Sequence, residues 1–169
     1  MTLQASAFDG VTANRKEVSW PWDFWGALSI GLMYGLIYST IRMAISANLP
    51  QDDVTANVLA QTFQLGYVER QPPLYEWLLW SVQNFTEPVG VSFLITKFAL
   101  LTATFGFLYL AATRIFSDGR WATIAGISPL FLYQIGWNYH EDVTQTAMMI
   151  CLIAATFWSS CGLWKEERL

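Results

Sequence analysis

Two adjacent carboxylates are the residues of this chain best suited to chemistry. Asp52 and Asp53 follow Pro50 closely, so they fall in the first turn of a predicted helix. A carboxylate at a helix start stays ionised at neutral pH and can accept a proton from a hydroxyl group. The flanking segments are apolar enough to span a bilayer, and ionisable groups beside a bilayer favour a functional role. A capping pair on a surface helix is the structural alternative.

A second acidic site precedes the last apolar segment. Asp142 comes directly before Val143-Thr144-Gln145, and His140 and Glu141 come directly before Asp142. Asp142 is either a cap of the last helix or a second catalytic acid. The sequence indicates no definite cofactor. A divalent metal held by Asp52, Asp142 and His140 stays open as an alternative, although their spacing matches no dedicated metal motif.

Three cations near the acidic sites are candidates for binding a phosphate group. Lys97 lies about eight residues inside the second apolar segment. It either extends to the interface or faces the helix bundle and neutralises a lipid phosphate. Arg42, near the outer end of the first apolar segment, and Arg70, in the loop that follows, are similar candidates.

The elements that position these residues are predicted to be membrane-spanning helices. The chain of 169 residues is 54% hydrophobic and only 13% charged, whereas soluble domains carry about 25% charged residues. Four apolar segments have about the length that a span requires. The predicted fold is therefore an all-α integral membrane protein, with spans at residues 22–46, 89–115, 121–138 and 143–164 of a membrane domain covering 21–164.

The distribution of charge predicts the orientation of these spans. Six of the nine Lys and Arg residues fall in the tail 1–20, in the turn 114–120 and at the end 165–169. By the positive-inside rule these regions are cytoplasmic, and the tail 1–20 is expected to be disordered. The acidic loops then face the exterior. The acidic pI reflects this asymmetry, and we expect the bilayer, and no nucleic acid, as a partner.

The external loop 47–88 is predicted to contain two short helices that lie on the membrane surface. The first begins near Pro50 and is expected to stop at Gly66. The second begins after Pro72-Pro73. Each carries apolar residues at near-helical spacing, which we expect to face the lipid, while Tyr75 is expected at headgroup depth. The apolar residues are Val54, Val58, Leu59 and Phe63 in the first helix, and Leu74, Trp77, Leu78, Val82 and Phe85 in the second.

These motifs together resemble the start of a polyprenol-phosphate-sugar-dependent glycosyltransferase of the GT-C type. The similar features are Asp52-Asp53, then Leu65-Gly66-Tyr67, then Gln71-Pro72-Pro73-Leu74-Tyr75, and finally Asp142-Val143-Thr144. The group includes mannosyltransferases, rhizobial lipopolysaccharide-core enzymes and aminoarabinose transferases. The resemblance covers roughly residues 45–165. It implies a bacterial inner-membrane enzyme whose acidic loops face the periplasm.

The resemblance implies a reaction and a role for each residue. Asp52 corresponds to the catalytic aspartate of the first loop, Asp53 to its acidic neighbour and Asp142 to the second-loop acid. A sugar would pass from a polyprenyl-phosphate carrier to a hydroxyl of a glycan, lipid or protein acceptor. Arg70, Lys97, Arg42, Tyr67 and Gln71 would bind the substrate or its phosphate. Family members often have Lys or His directly before Pro-Pro, where this chain has Gln71.

Two expectations concern the extent and the class of the protein. Members of the group are longer and have more spans, so we expect this chain to be the amino-terminal part of such an enzyme or a truncated member. The alternative is a non-enzymatic accessory or assembly protein with four membrane helices, whose acidic loop contacts a partner protein. The two readings differ in what neutralisation of Asp52 would disturb: chemistry in the first, complex formation in the second.

Overall fold

The structure is a computed structural model that describes residues 21–45, 51–67, 72–86, 90–136 and 145–166. The described part of the chain is helical and contains no strand. The predicted tail 1–20 and residues 167–169 of the predicted cytoplasmic end lie outside these ranges. The helices are α1 (Phe24–Ile45), α2 (Gln51–Leu59), α3 (Leu74–Thr86), α4 (Gly90–Ile115), α5 (Gly119–Ile127), a 3₁₀ helix (Ser128–Phe131), α6 (Tyr133–Gly136) and α7 (Gln145–Glu166).

Three helices in the described residues are long and apolar enough to cross a bilayer: α1, α4 and the Gln145–Trp164 part of α7. They match the first, second and fourth predicted spans to within a few residues. Asp23 caps α1, because its Oδ1 accepts a hydrogen bond of 2.6 Å from the backbone N–H of Gly26. Membrane helices are thus present, while the count of four spans stays a prediction.

The third predicted span is not one continuous helix. Asp118 caps α5, with its side chain accepting from the backbone N–H of Arg120 at 2.9 Å. The α-helix then ends at Ile127, and Pro129 lies at the start of the 3₁₀ helix that follows. Proline lacks the backbone N–H and collides with the preceding turn of an α-helix. Leu132 then adopts an extended conformation before α6 begins.

Small residues let α1 and α4 pack closely. Ala27, Gly31 and Gly35 recur every four residues on the buried face of α1. A Cβ added at Gly31 would lie 2.8 Å from Phe105, and one added at Gly35 would lie 2.8 Å from Phe98. Higher numbers on α1 meet lower numbers on α4, so the two helices are antiparallel. The spacing is that of small-residue contacts between membrane helices.

Helix α7 runs in the same direction as α4. Cys151 is hydrogen-bonded to Thr104, and Arg114 donates a hydrogen bond of 2.7 Å to the carbonyl oxygen of Trp158. The Arg114 guanidinium also lies 5.0 Å from the centre of the Trp158 ring. The chain must therefore return between α4 and α7. Helix α5 follows this path, since Gly126 lies against Phe105 and Tyr109 of α4.

The two loop helices differ in what they bury: the inward side of α2 is small or polar, whereas α3 also buries the large side chains of Tyr75 and Leu79. On α2, Ala56 is buried and Val54 and Val58 are exposed. On α3, Leu79 is buried and Phe85 is 91% exposed. The expectation that Tyr75 is a headgroup anchor is wrong, because its side chain is only 1% exposed and faces the core of the protein.

Helix α2 also ends earlier than predicted. The last residue is Leu59, whereas the expected stop was Gly66. Phe63 explains the difference, since its ring lies 5.7 Å from that of Trp77 and 5.2 Å from that of Trp80 on α3. Packing between aromatic rings and the low helix propensity of Thr62 and Phe63 favour a turn over a further helical turn.

Candidate active site in a buried polar layer

Three hydrogen-bonded pairs of polar side chains lie where α2, α3, α4 and α7 meet. We call these six residues the polar layer: Asp53, Asn57, Glu76, Gln83, Lys97 and Gln145. Each pair joins two different helices. Buried polar groups cost free energy unless they are hydrogen-bonded, so these pairs fix how the loop helices sit on the membrane helices.

The first pair is an ion pair between Asp53 and Lys97. The ammonium Nζ of Lys97 lies 2.9 Å from Oδ1 and 3.0 Å from Oδ2 of Asp53. Both residues are only 3% exposed. Lys97 is the eighth residue of α4, about 10 Å along the axis from Gly90. It faces the bundle, and the alternative that it extends to the interface is wrong. The pair holds α2 against the outer part of α4.

The second pair extends the polar face of α2. The amide of Gln83 donates a hydrogen bond of 2.6 Å to Oδ1 of Asn57. Asn57 follows Asp53 by four residues, so both project from one face of α2. The α2 helix is therefore tied to α4 through Asp53 and to α3 through Asn57. Its first turn, which contains Asp52, has a fixed place in the fold.

The third pair connects α3 with the start of α7. The amide of Gln145 donates a hydrogen bond of 3.0 Å to Oε1 of Glu76. Glu76 lies in the first turn of α3 and is 2% exposed. Gln145 is the first residue of α7. Two segments separated by 69 residues in sequence therefore meet at this hydrogen bond.

The predicted catalytic residues are only partly described. The backbone of Asp52 lies in the first turn of α2, as expected, while its side chain is outside the description. Asp142, His140, Arg70 and Gln71 lie outside the described residues. Among the described residues, no group of three His, Cys, Asp or Glu side chains is arranged to hold a metal. The side chains of the three possible metal ligands, Asp52, Asp142 and His140, lie outside the described part of the structure.

Two other predicted binding residues have visible surroundings. The hydroxyl of Tyr67 donates to the carbonyl oxygen of Thr62 at 2.8 Å and accepts from the backbone N–H of Gln64 at 3.2 Å. Trp77 adds a bond of 2.7 Å from its indole N–H to the Gln64 carbonyl oxygen. Tyr67 therefore shapes the turn between α2 and α3. Arg42 lies in the last turn of α1 and is partly buried.

Sequence reasoning did not single out Asn57, Glu76, Gln83 or Gln145 as site residues. The spacing of polar residues along α2 and α3 could have indicated three of them. Asp53 and Asn57 are four residues apart, and Glu76 and Gln83 are seven apart, so each pair shares one helix face. In a membrane protein the apolar face of a loop helix can meet lipid, which leaves the polar face to pack on the protein.

Comparison with known families identifies the family to which the chain belongs. The sequence model of the family described as dolichyl-phosphate-mannose-protein mannosyltransferase matches residues 70–169, more than half of the chain. The chain belongs to this family. Its members are glycosyltransferases of the GT-C type, so the sequence resemblance is confirmed. The match contains α3, α4 and the segments through α7, including Glu76, Lys97 and Gln145 of the polar layer.

Two curated proteins are similar in sequence to the chain. It is 25% identical to the lipopolysaccharide core galacturonosyltransferase RgtB of Rhizobium johnstonii over 157 residues, which is 93% of this chain and 30% of RgtB. It is 24% identical to the lipopolysaccharide core galacturonosyltransferase RgtA of the same organism over 117 residues, 69% of this chain and 23% of RgtA. The chain thus spans less than a third of either relative. No solved structure matches it.

Proposed function

We propose that this chain carries the catalytic external loops of a membrane glycosyltransferase. In the proposed reaction, the Asp52 carboxylate takes the proton of an acceptor hydroxyl. The acceptor oxygen then forms a bond to the anomeric carbon of a sugar as that carbon's bond to the carrier phosphate breaks. The electron pair of that bond leaves with the phosphate, which remains on the polyprenyl lipid. Membership of a glycosyltransferase family supports this proposal.

The observation that carries the proposal is the hydrogen bond between Glu76 and Gln145. It joins the helix that follows the Asp52 loop to the first residue of α7. Asp142 precedes Gln145 by three residues, and three residues of chain reach at most about 10 Å. This supports a single reaction centre served by Asp52 and Asp142.

The ion pair suggests how the roles of the charged residues divide. Because both Asp53 oxygens meet Lys97, the pair is best suited to positioning the first turn of α2. We therefore assign proton transfer to Asp52 alone. The charge of the departing phosphate would be stabilised by the remaining cations, Arg70 and Arg42, together with Gln71.

The donor and acceptor come from the comparisons and are part of the proposal. The family's description names mannose on a dolichyl phosphate, and the two relatives are named as transferases of galacturonic acid to a lipopolysaccharide core. We infer a sugar on a polyprenyl phosphate as donor and a glycan, lipid or protein hydroxyl as acceptor. The reaction would take place on the external or periplasmic face of the inner membrane.

Asp52→Asn tests the proposal. The substitution removes the base but keeps a residue that is suited to a helix start. We expect transfer from a polyprenyl-phosphate sugar to fall by at least about 100-fold, because general-base catalysis contributes roughly 10²–10⁴-fold. Sugar transfer in membranes containing the protein, normalised to its amount in the membrane, is the measurement.

Asp118→Asn provides the matched control. Asp118 caps α5 next to the end of α4, and asparagine caps a helix equally well, so its transfer rate should equal that of the wild type. Full transfer by the Asp52 variant would remove Asp52 from the mechanism. Intact transfer combined with loss of a copurifying partner protein would favour the accessory-protein alternative.

A further inference from the structure

Glu76 is a buried carboxylate with one oxygen still open for a hydrogen bond. Its Oε1 accepts from Gln145, while Oε2 has no hydrogen-bond partner among the residues that the structure describes. The residue is 2% exposed. A buried polar atom without a partner costs about 1–3 kcal/mol, and more for a charged group. A buried acceptor without a donor needs an explanation, and a ligand that supplies the missing donor is one.

The surroundings of Glu76 differ from those of the other buried carboxylate. Both oxygens of Asp53 meet the ammonium of Lys97, so Asp53 has its charge matched inside the protein. Within the described part of the chain, Glu76 is instead hydrogen-bonded to the neutral amide of Gln145. A carboxylate in this setting attracts hydrogen-bond donors and repels anions such as phosphate. Neutral hydroxyl groups are therefore the ligand chemistry that suits Oε2.

The place of Glu76 in the fold points to the donor sugar as the source of such a hydroxyl. Glu76 lies in the first turn of α3, whose outward side carries exposed apolar residues such as Leu74 and Phe85. That amphipathic character is typical of a helix at the level of lipid headgroups. The sugar of a lipid-linked donor is held at this same level, directly beside its phosphate.

We propose that Glu76 binds a hydroxyl of the donor sugar through Oε2, with Gln145 holding the carboxylate in place through Oε1. The proposal rests on the proposed function for the identity of the donor. It assigns to Glu76 a role in recognising the sugar, separate from proton transfer and from phosphate binding. A site built to hydrogen-bond a hydroxyl discriminates strongly between ligands with and without it.

Binding of defined lipids by the protein in nanodiscs tests this inference without requiring catalysis. The probes are polyprenyl phosphate and the same lipid carrying mannose or galacturonic acid. We expect the wild type to bind at least one of the sugar-bearing lipids more tightly than polyprenyl phosphate. In Glu76→Gln the amide oxygen still accepts from Gln145, but an NH₂ group replaces the open acceptor. This variant should bind that lipid about tenfold more weakly, with unchanged affinity for polyprenyl phosphate and an unchanged Tm.

Two further variants separate binding from structural roles. Gln145→Ala removes the donor to Oε1 but keeps the carboxylate, so it should weaken sugar-lipid binding by less than Glu76→Gln does. Asn84→Ala changes an exposed residue of the same helix and should leave every affinity unchanged. These comparisons use the same three lipids and the same membrane composition.

The outcomes distinguish this inference from the proposed function. Equal preference for the sugar-bearing lipids in the wild type and Glu76→Gln would overturn the role of Glu76, even if transfer depends on Asp52. A Tm that falls in Glu76→Gln and Gln145→Ala together with the affinity for all three lipids would show a structural clamp and would also overturn it. A Glu76-dependent sugar preference would support it, even where Asp52→Asn still transfers.

Discussion

At the scale of single residues, the buried pair of Asp53 and Lys97 has the largest expected effect on stability. Both side chains are removed from water, and the cost of removing two charges is offset by their attraction at about 3 Å. Loss of one partner leaves the other charge buried alone. Loss of both partners removes the charges and the desolvation cost together.

We therefore expect single and double substitutions of this pair to behave differently. Lys97→Met should destabilise the fold by about 3–5 kcal/mol, because it leaves the Asp53 carboxylate buried without its cation. The double variant Asp53→Leu with Lys97→Met should have a Tm closer to that of the wild type than the single variant has. Thermal unfolding in detergent, followed by tryptophan fluorescence, is the measurement.

Arg120→Met is the control for this comparison. Arg120 is exposed and lies near the start of α5, so replacing it should change the Tm little. The double variant could instead unfold at a lower temperature than Lys97→Met. That result would contradict the expectation that removing both charges costs less stability than removing only the lysine.

At the scale of elements, the contact between α1 and α4 depends on the absence of side chains. Gly31 and Gly35 face the rings of Phe105 and Phe98, and an added Cβ would meet them at 2.8 Å. Between membrane helices the hydrophobic effect contributes little, so close packing of backbones carries much of the association. A ring packed between two helices has little room to move away from a new methyl group.

Substitution of these glycines should weaken the contact. We expect Gly31→Leu and Gly35→Leu each to destabilise the protein by about 1–3 kcal/mol through overpacking. Proteolysis or thermal unfolding of the purified protein measures the change. Gly66→Ala is the control, because a Cβ there meets no atom within 4 Å. Equal stability of all three variants would show that α1 can move away from α4 at no cost.

At the scale of the whole molecule, the directions of the helices define two ends of the bundle. Helices α1 and α4 are antiparallel, and α7 is parallel to α4. The loop helices α2 and α3 join the bundle at the start of α4 and of α7. The turn around Ser117 is at the opposite end, after α4 has finished. From the positive-inside rule we expect that turn to lie in the cytoplasm.

Cysteine labelling tests this orientation. In a variant with Cys151 and Cys161 replaced by serine, a cysteine is introduced either at Asn84 of α3 or at Ser117, both of which are exposed. A membrane-impermeant maleimide applied from the periplasmic side should label position 84 in intact spheroplasts, and position 117 only after the membrane is permeabilised. Labelling of both positions, or of position 117 alone, in intact spheroplasts would contradict the proposed topology.

Particular residues show how much of this site could be predicted from the sequence. The Asp52-Asp53 pair was placed correctly at the start of a helix, and Lys97 was correctly given a bundle-facing alternative. Nothing local indicated that Asp53 and Lys97 contact each other, because they are 44 residues apart. Tyr75 was misplaced because an aromatic residue near an interface resembles a headgroup anchor in sequence, whichever side of its helix meets the protein.

The sequence by itself determined the helices, since runs of apolar residues in a bilayer must satisfy their backbone groups internally. It also indicated the family, through the spacing of Asp52-Asp53, Gly66-Tyr67 and Pro72-Pro73. Only the tertiary structure decided which face of each loop helix is inward, and which polar residues pair in the polar layer. The physical reason is that in a membrane protein apolar residues are suited both to lipid and to the core. The spacing of apolar residues therefore defines one face of a helix but not whether that face meets lipid or protein. The polar contacts between distant segments show which face is turned inward.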